Sequence, residues 1–375
     1  MAITRLGPNQ DITAAKIAGQ INFKNLIING DMSIAQRATS VSSLTAGGYK
    51  TVDRWELSLN AAGTWTVSQS TTVPTGQGFA SSMKFDCTTA NASLASGAYF
   101  SFRQKLEGQN LQQLKKGTAN AESLTLSFWV RSNKTGTYQA NIRDMDNSRI
   151  IGSTYTINSA DTWEKKTLTF AGDTTGTLNN DNGESLRVEW FLAAGSNNSS
   201  GSVPTSWQTN VEADRGAGLT VNLADNTANE WYITGVQLEA DTSASDFEFL
   251  PYDVNLRRCQ RYCAVYGKNA PGATNYGPFP GMAMCVGSTT NVELQLIHPV
   301  DLRTADVSVS SSSVHVSNIV SQGSDISSIN IRSSNKGIRA TNFYATASSA
   351  LTQDRLFYIM TANTPAGYMI VDAEL

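Results

Sequence analysis

Hydrophobic and polar residues alternate with a period of two over most of the chain between residues 26 and 250. The clearest alternation lies in residues 123–131, where one set of side chains is apolar and the other is mostly polar: Leu124, Leu126, Phe128 and Val130 against Thr125, Ser127, Trp129 and Arg131. A strand keeps two such sets on opposite faces, whereas a helix would scatter them around its circumference. Further strands are predicted at residues 138–143, 165–170, 186–192 and 231–238.

Turn-forming residues separate these predicted strands. Clusters of Gly, Asn, Asp and Ser occupy residues 179–183 and 195–201, and they are typical of turns and loops. The segment 102–116 is rich in helix formers but is interrupted by Gly108, so one short helix at most is expected there. Many strands joined by such turns indicate a β-sandwich or jelly roll.

A change in composition marks the later part of the chain. All seven tryptophans precede residue 232, which indicates a domain boundary, placed at about Pro251. Residues 253–263 predict a short helix with Asp253 as its N-cap. Residues 270–281 predict an irregular loop, and the remainder reads as a second, smaller β-sandwich with strands at residues 291–297, 305–309, 314–319, 328–331, 339–344, 355–360 and 368–373.

Residues 1–24 precede the first predicted domain. A turn at residues 7–9 and an N-cap at Asp11 predict a short helix that ends near Gly19. So short a leader is either a disordered tail or a peg that docks on another protein.

Length, charge and cysteine content limit the function classes. The chain has 375 residues, more than the ~250 to 300 that one core usually organises. Charged residues make up 16% and the net charge is -3, so neither nucleic acid nor membrane insertion is expected. The chain contains no apolar run of membrane-spanning length and no secretory signal. Cys259 and Cys263 are expected to pack in a core, because structural zinc needs four closely spaced ligands.

The residue types that support catalysis are sparse. The two histidines, His298 and His315, are not placed for nucleophilic catalysis. Residues 144–155 begin like a calcium loop but have Arg149 and Tyr155 where an EF-hand needs Gly and Glu. No carboxylate pair stands out for glycoside hydrolysis. A non-enzymatic protein is therefore expected, with a glycosidase as the alternative.

Two segments carry a resemblance to a known family. Residues 25–37 read NLIINGDMSIAQR, an apolar strand broken by the turn signal Asn29-Gly30-Asp31, and residues 235–263 read GVQLEADTSASDFEFLPYDVNLRRCQRYC. Together with Val52-Asp53-Arg54-Trp55, Trp163, residues 237–239 and the terminal Asp-Ala-Glu-Leu, their order resembles a family of bacteriophage tail-fibre and virion-appendage proteins. The central domain of that family is a jelly roll similar to carbohydrate-binding modules.

The resemblance implies an all-β virion protein in four parts. These are a docking leader for another virion protein (residues 1–24), a jelly-roll β-sandwich (25–250), a short helical connector (251–263) and a smaller C-terminal β-sandwich (264–375). It further implies a homotrimer on the tail or capsid surface, made in the host cytoplasm, that mediates host attachment through surface glycans. A capsid decoration or head-fibre protein without glycan binding and a polysaccharide depolymerase are the alternatives.

The resemblance also implies site residues. Glycan-binding modules stack an aromatic ring on a sugar, and Trp129 is the first candidate because it lies on the polar face of its strand; a loop or subunit covering it is the alternative. Trp65, Tyr138 and Trp207 are further candidates. A structural calcium ion would be held by the Asn29 carbonyl, Asp31 and Glu239, with Asp53 as an additional ligand; alternatively, Asp31 only completes a turn.

Overall fold

The computed structural model of the chain describes residues 23–267, 277–318, 322–364 and 367–375, apart from the side chains of residues 333–335. The strands of the first part of the chain are β1 (Ser40–Tyr49), β2 (Glu56–Ser70), β3 (Ser82–Thr89), β4 (Tyr99–Glu107), β5 (Leu124–Ser132), β6 (Gly136–Asp144), β7 (Arg149–Ile157), β8 (Glu164–Phe170), β9 (Glu184–Ala194), β10 (Gln208–Thr209) and β11 (Glu230–Ala240). A short helix α1 (Ser196–Ser199) and the 3₁₀ turns Gly108–Asn110, Gln112–Leu114, Glu212–Asp214 and Leu223–Asp225 lie between them.

One sheet folds over into the two layers of a jelly-roll sandwich. Its strand order is β10-β7-β6-β9-β4-β2-β3-β11-β5-β8, with β1 paired beside β2. Strand β2 joins the layers, because its residues 56–60 pair with β4 and its residues 64–70 pair with β3. Between these halves Ala61 and Gly63 have φ angles of 48° and 81°, which interrupt the regular extended backbone. The predicted all-β fold with a jelly roll is confirmed.

Aromatic side chains fill the space between the layers. Trp55 stacks on Phe102 with ring centroids 4.6 Å apart, and Trp231 from the opposite layer lies 6.3 Å from Phe102. Phe128 meets Trp190 edge to face at 5.6 Å. All five rings are fully buried. Large buried rings contribute much of the apolar area that stabilises such a core.

Strand β5 confirms the alternation that the sequence predicted. Leu126, Phe128 and Val130 are buried in the core, while Trp129 is half-buried on the outer face. The outer residues Thr125 and Ser127 are buried as well. We call residues 241–250 the covering segment, because they lie over this outer face; for example, the Thr125 hydroxyl donates to the Asp241 carbonyl at 2.8 Å.

Two local predictions were wrong and one was confirmed. Residues 25–31 do not form a regular strand, although the Leu26 amide donates to the Leu238 carbonyl at 2.9 Å. The connector helix α2 spans Tyr252–Gln260 with Pro251 as its N-cap, so Asp253 lies in the first turn and is not the cap. The segment 102–116 contains only strand and 3₁₀ turns, as expected. The helix predicted at residues 11–19 lies outside the described residues.

The later strands form a second β unit. They are β12 (Cys263–Tyr266), β13 (Pro278–Cys285), β14 (Asn291–Ile297), β15 (Ser308–Ser312), β16 (Val314–Ser317), β17 (Gly323–Lys336), β18 (Ala340–Ala347), β19 (Leu356–Thr361) and β20 (Tyr368–Asp372). The second sandwich predicted for this region is a closed barrel, β13-β14-β18-β17-β16-β19, beside a sheet of β12-β20-β15. The barrel closes because β19 pairs with both β13 and β16, which leaves it no free edge. Strand β13 begins within the loop predicted at residues 270–281.

The two units have separate hydrophobic cores. The first core draws on residues 27–238 and the second on residues 264–373. The domain limits placed after residues 24, 250 and 263 stay predictions. In the described part of the chain, the structure has no helix that is long and apolar enough to cross a membrane.

A junction of buried charges connects the end of the chain to the first unit. The Arg54 guanidinium forms an ion pair with Glu374 and lies over the Tyr262 ring at 3.4 Å from its centroid. Arg37 pairs with Asp372 at 2.8 Å. Lys105 donates to the Leu375 carbonyl at 2.6 Å. We call this group of contacts the charged junction.

Asn29 forms a turn that lies beside the charged junction. Its side-chain amide donates to the carbonyls of Ile34 and Asp53 at 2.9 and 3.0 Å, and its own carbonyl accepts the Trp55 indole N–H at 3.0 Å. Its φ of 59° confirms the predicted turn. The next residue must be glycine, because a Cβ at Gly30 would lie 2.0 Å from the Val236 carbonyl oxygen.

Replacing Arg54 tests the charged junction. Arg54→Met leaves the buried Glu374 carboxylate with Arg37, at 3.3 Å, as its remaining ion-pair partner. We therefore expect the free energy of unfolding to fall by up to about 3–5 kcal/mol, the loss for an uncompensated buried charge. The matched control is Arg339→Met, because the Arg339 pair with Asp301 is largely exposed, and we expect a loss within about 1 kcal/mol. Denaturant unfolding measures both; equal losses would contradict the assigned role of the junction.

His298 makes the stability of the barrel dependent on pH. Its ring is buried between the Tyr266 hydroxyl at 2.7 Å and the Thr341 hydroxyl at 2.9 Å, and burial lowers its pKa from 6.5 to about 4. The unfolded chain therefore binds more protons between those values, and stability is lost as the pH falls from about 6.5 to about 4. We expect the loss of unfolding free energy between about pH 6.5 and about pH 4 to be smaller in His298→Gln than in the wild type, by on the order of 1–2 kcal/mol. If the free energy of unfolding of the wild type and of His298→Gln depends on pH in the same way across this range, His298 is not the source of the pH dependence.

Candidate functional site

A cavity of 340 Å³ lies on the outer face of the jelly roll beside Trp129. Strand β5 places the indole on this face, with Lys165 of β8 directly opposite in register. On the other side β5 pairs with β11, whose register shifts between Thr234 and Gln237. We call this the Trp129 cavity; its lining also includes Gly76, Gln77, Phe79, Ser127, Gly235, Asp246, Phe247 and Phe249.

Three phenylalanines form one wall of the Trp129 cavity. The ring centroid of Phe79 lies 5.1 Å from those of Phe247 and Phe249, and the centroids of Phe247 and Phe249 are 4.8 Å apart. Gly235 makes this wall possible, because its φ is 61° and a Cβ there would lie 2.5 Å from the Phe79 ring. Phe249 is 50% exposed, so part of the aromatic wall is open to a ligand.

Polar side chains at the edge of the cavity have unused hydrogen-bonding groups. Within the described parts of the chain, the Lys165 ammonium, the Asp246 carboxylate and the Gln77 amide have no hydrogen-bond or ion-pair partner, and all three residues are exposed. The Lys165 ammonium offers three donors, the Asp246 carboxylate offers two acceptor oxygens, and the Gln77 amide offers two donors and one acceptor oxygen. Aromatic rings beside unpaired donors and acceptors can bind a ligand that has both apolar and hydroxyl surfaces.

Two predicted sugar-binding rings are not accessible. Trp65 and Tyr138 are both 0% exposed, because their strands direct them between the two layers. The Trp65 indole donates to the Ala62 carbonyl at 2.7 Å, and the Tyr138 hydroxyl donates to the Lys134 carbonyl at 2.8 Å. Neither ring can present a face to a sugar, so both are corrected to core residues.

Trp207 is half-buried and lies apart from the Trp129 cavity. Its indole donates to the Ala171 carbonyl at 2.7 Å, and the Lys116 ammonium lies 5.3 Å from its ring centroid. The structure therefore does not bring Trp207 together with Trp129. Sugar stacking on Trp129 or on Trp207 stays a prediction.

The first three candidate calcium ligands each accept hydrogen bonds from protein donors. Asp31 accepts from Ser33 at 3.0 Å and Asn255 at 3.2 Å, and Glu239 accepts from Gln237 and from Ser245. The Asn29 carbonyl accepts from Trp55. Among the residues described, no three His, Cys, Asp or Glu side chains are grouped to hold a metal ion. Calcium binding stays a prediction, and the contacts of Asp31 fit the alternative that it completes a turn.

Asp53, the additional calcium candidate, belongs to the charged junction. Its carboxylate accepts from the Gln36 amide N–H at 3.0 Å and lies 3.9 Å from Arg37. Burial raises its pKa to about 6, although Arg37 and Gln36 oppose the shift. The side chain is 0% exposed, so it is closed to solvent.

The cysteines have a packing role. All four are buried and free, and burial raises the pKa of Cys259 and Cys263 well above 9.0. Such thiols are poor nucleophiles and poor metal ligands. The expectation of core packing for this pair is confirmed.

Sequence reasoning missed most of the Trp129 cavity. Phe247, Phe249, Lys165 and Gln77 were not candidates, because they come from separate loops and strands. The one usable signal was the alternation of Phe247 and Phe249 in the covering segment, because two aromatic residues two positions apart share one face of an extended segment.

No protein-family profile and no curated protein matches the chain. Solved structures with a similar fold include the enzymatically active domain of tailspike protein 4 from bacteriophage CBA120, at 14% identity, 58% coverage of this chain, 21% coverage of that chain and a TM-score of 0.30. This chain thus matches about a fifth of the tailspike structure.

Two further similar structures are named for sugar recognition. One is a putative sugar binding protein from Bacteroides thetaiotaomicron, at 14% identity, 58% and 100% coverage of the two chains and a TM-score of 0.30. The other is the family 11 carbohydrate-binding module from Clostridium thermocellum in complex with a mixed-linked tetrasaccharide, at 12% identity, 55% and 99% coverage and a TM-score of 0.26. Likenesses of this size carry no conclusion about activity.

Proposed function

We propose that this chain is a non-catalytic glycan-binding protein whose ligand occupies the Trp129 cavity. The observation that carries the proposal is the combination of the Trp129 and Phe249 rings with three polar side chains, Lys165, Asp246 and Gln77, that have no partner in the described structure. A sugar ring has an apolar C–H face and a rim of hydroxyl groups, and this cavity offers a surface for each.

The size of the cavity supports a small saccharide. Its 340 Å³ lies at the lower end of ligand-pocket volumes. The backbone of Trp129 pairs with strands on both sides, with Thr234 of β11 and Lys165 of β8, so the ring stands on a regular part of the sheet. The Asp246 carboxylate and the Lys165 ammonium can accept from and donate to neighbouring hydroxyls, which gives selectivity among sugars.

The biological setting we propose is host attachment by a bacteriophage tail fibre or related appendage. Its support is the resemblance of residues 25–37 and 235–263 to that protein family. In this proposal residues 1–24 dock on another virion protein, and the protein resides on the virion surface. A capsid decoration protein would share the fold without binding glycan.

We also propose that the chain forms a homotrimer through the outer face of the C-terminal barrel. Two exposed cross-strand pairs lie there side by side, Met282 with Tyr358 and Met284 with Leu356. These four side chains are 39–58% exposed. Apolar side chains grouped in this way are typical of a protein interface rather than of a free surface.

Truncating Trp129 tests the glycan site. We expect Trp129→Ala to weaken binding of a host-surface glycan by about 2 kcal/mol, or about thirtyfold, because a central aromatic contact is lost. Binding is measured by calorimetry with the best ligand from an array of host polysaccharides.

The control for this test is Tyr252→Ala. Tyr252 is 64% exposed at the start of α2 and does not line the Trp129 cavity, so its removal should leave affinity unchanged. If the wild-type protein binds no glycan, the glycan-binding proposal is wrong and a decoration role is favoured. If both variants bind like the wild type, the protein binds glycan but the Trp129 cavity is not the site.

Charged substitutions test the trimer. We expect the wild-type chain to have a trimeric mass in solution, and Met284→Asp with Leu356→Asp to shift it towards the monomer, because burying the two charges is costly. The control is Val211→Asp, an exposed apolar residue of the jelly roll, which should stay trimeric. Light scattering after size-exclusion chromatography measures the mass; a monomeric wild type at micromolar concentration would contradict the proposal.

A further inference from the structure

A second cavity, of 350 Å³, lies where the connector helix meets the jelly roll. Its walls come from α2, from the 3₁₀ turns that follow β4 and from residues 23–28. It shares no lining residue with the Trp129 cavity. We call it the connector cavity.

Arg258 of α2 and Arg261, which follows the last residue of α2, line the connector cavity. The two arginines differ in their hydrogen-bond partners. Arg261 forms two hydrogen bonds with the buried Glu107 carboxylate, at 2.9 and 2.8 Å. Arg258 makes one hydrogen bond within the described residues, to the Asn25 carbonyl at the long distance of 3.5 Å. A guanidinium has five N–H donors, so most donors of Arg258 remain available.

The surroundings of Arg258 disfavour its charge. Burial lowers its pKa, with the smallest contribution from Arg54, although Cys259, Tyr262 and Glu248 partly oppose the shift. Glu248 cannot serve fully as its partner, because the two Glu248 oxygens accept from the backbone amides of Phe23 and Asn25 at 3.1 and 2.9 Å. An anion bound in the cavity would supply the missing charge.

The other walls suit a sugar ring. Ile28, Leu106 and Leu111 are buried and form an apolar floor. Asn110 and Gln113 are exposed at the rim. The Asn110 side chain has no hydrogen-bond partner in the described part of the chain, so its amide can both donate to and accept from a hydroxyl group.

We propose that the connector cavity binds an acidic sugar residue whose carboxylate pairs with the Arg258 guanidinium. The planar fork of an arginine matches a carboxylate with two parallel hydrogen bonds. The singly charged carboxylate also matches one available cation. The hydroxyls of the sugar face Asn110 and Gln113, and its C–H surface lies on the apolar floor. This second site goes beyond the Trp129 cavity and does not depend on it.

The test measures binding of galacturonic acid oligomers and of their methyl esters to the full chain by calorimetry. We expect the acid to bind and the neutral ester to bind at least roughly tenfold more weakly, because the charge-assisted contact is lost. Arg258→Gln should weaken binding of the acid by a similar factor. Arg257→Gln is the matched control, since it removes the same charge from an exposed neighbour on the same helix, and it should bind like the wild type.

Two further variants keep the test decisive. Asn110→Asp leaves the fold unchanged, because the side chain is exposed and unpaired, and the added negative charge should weaken binding of the acid several-fold even if Arg258→Gln fails to fold. Trp129→Ala should bind the acid normally, which separates this site from the first one. Absence of acid binding to the wild type, equal binding of acid and ester, or wild-type affinity in Arg258→Gln would overturn the proposal.

Discussion

The ion pair between the buried Arg54 guanidinium and Glu374 joins the last residues of the chain to the first β unit. The Arg54 side chain is 0% exposed in the described structure, and a buried charge is tolerated only when it is paired. Its partner is Glu374, one residue before Leu375. This pair joins the residues that follow β20 to the start of the jelly roll, where Arg37 contacts Asp372 and Lys105 contacts Leu375.

The two segments that resemble the phage family, residues 25–37 and 235–263, contact each other through specific polar groups. Asn29 and Gly30 of the first segment contact Trp55 and Val236, and Asn255 of the second segment donates to Asp31. These residues, which lie far apart in the sequence, meet beside the charged junction. Their chemistry is that of a structural connection, with satisfied hydrogen bonds and tight backbone contacts. The second segment also contains Asp246, Phe249 and Arg258, whose side chains line the two proposed binding cavities.

Both proposed binding sites arise where a non-strand segment lies on the β scaffold. The covering segment supplies Phe247 and Phe249 to the Trp129 cavity, and the 3₁₀ turns supply Asn110 and Leu111 to the connector cavity. The strands and α2 hold the residues that anchor each cavity, Trp129 and Arg258. This division lets the scaffold keep its satisfied hydrogen bonds while the loops determine what can bind.

The sequence by itself determined those features that depend on neighbouring residues along the chain. The alternation in β5 specified which side chains share a face, strand β14 was predicted with its exact limits, and the turn at Asn29 followed from the residue types that tolerate positive φ. Only the tertiary structure decided which faces are covered. Trp65, Tyr138 and Trp129 all lie on alternating strands, but two rings point into the core and one points outwards. The closure of the barrel, the bend in β2, the pairing of Arg54 with Glu374 and the assembly of both cavities depend on contacts between distant residues, which local periodicity does not encode.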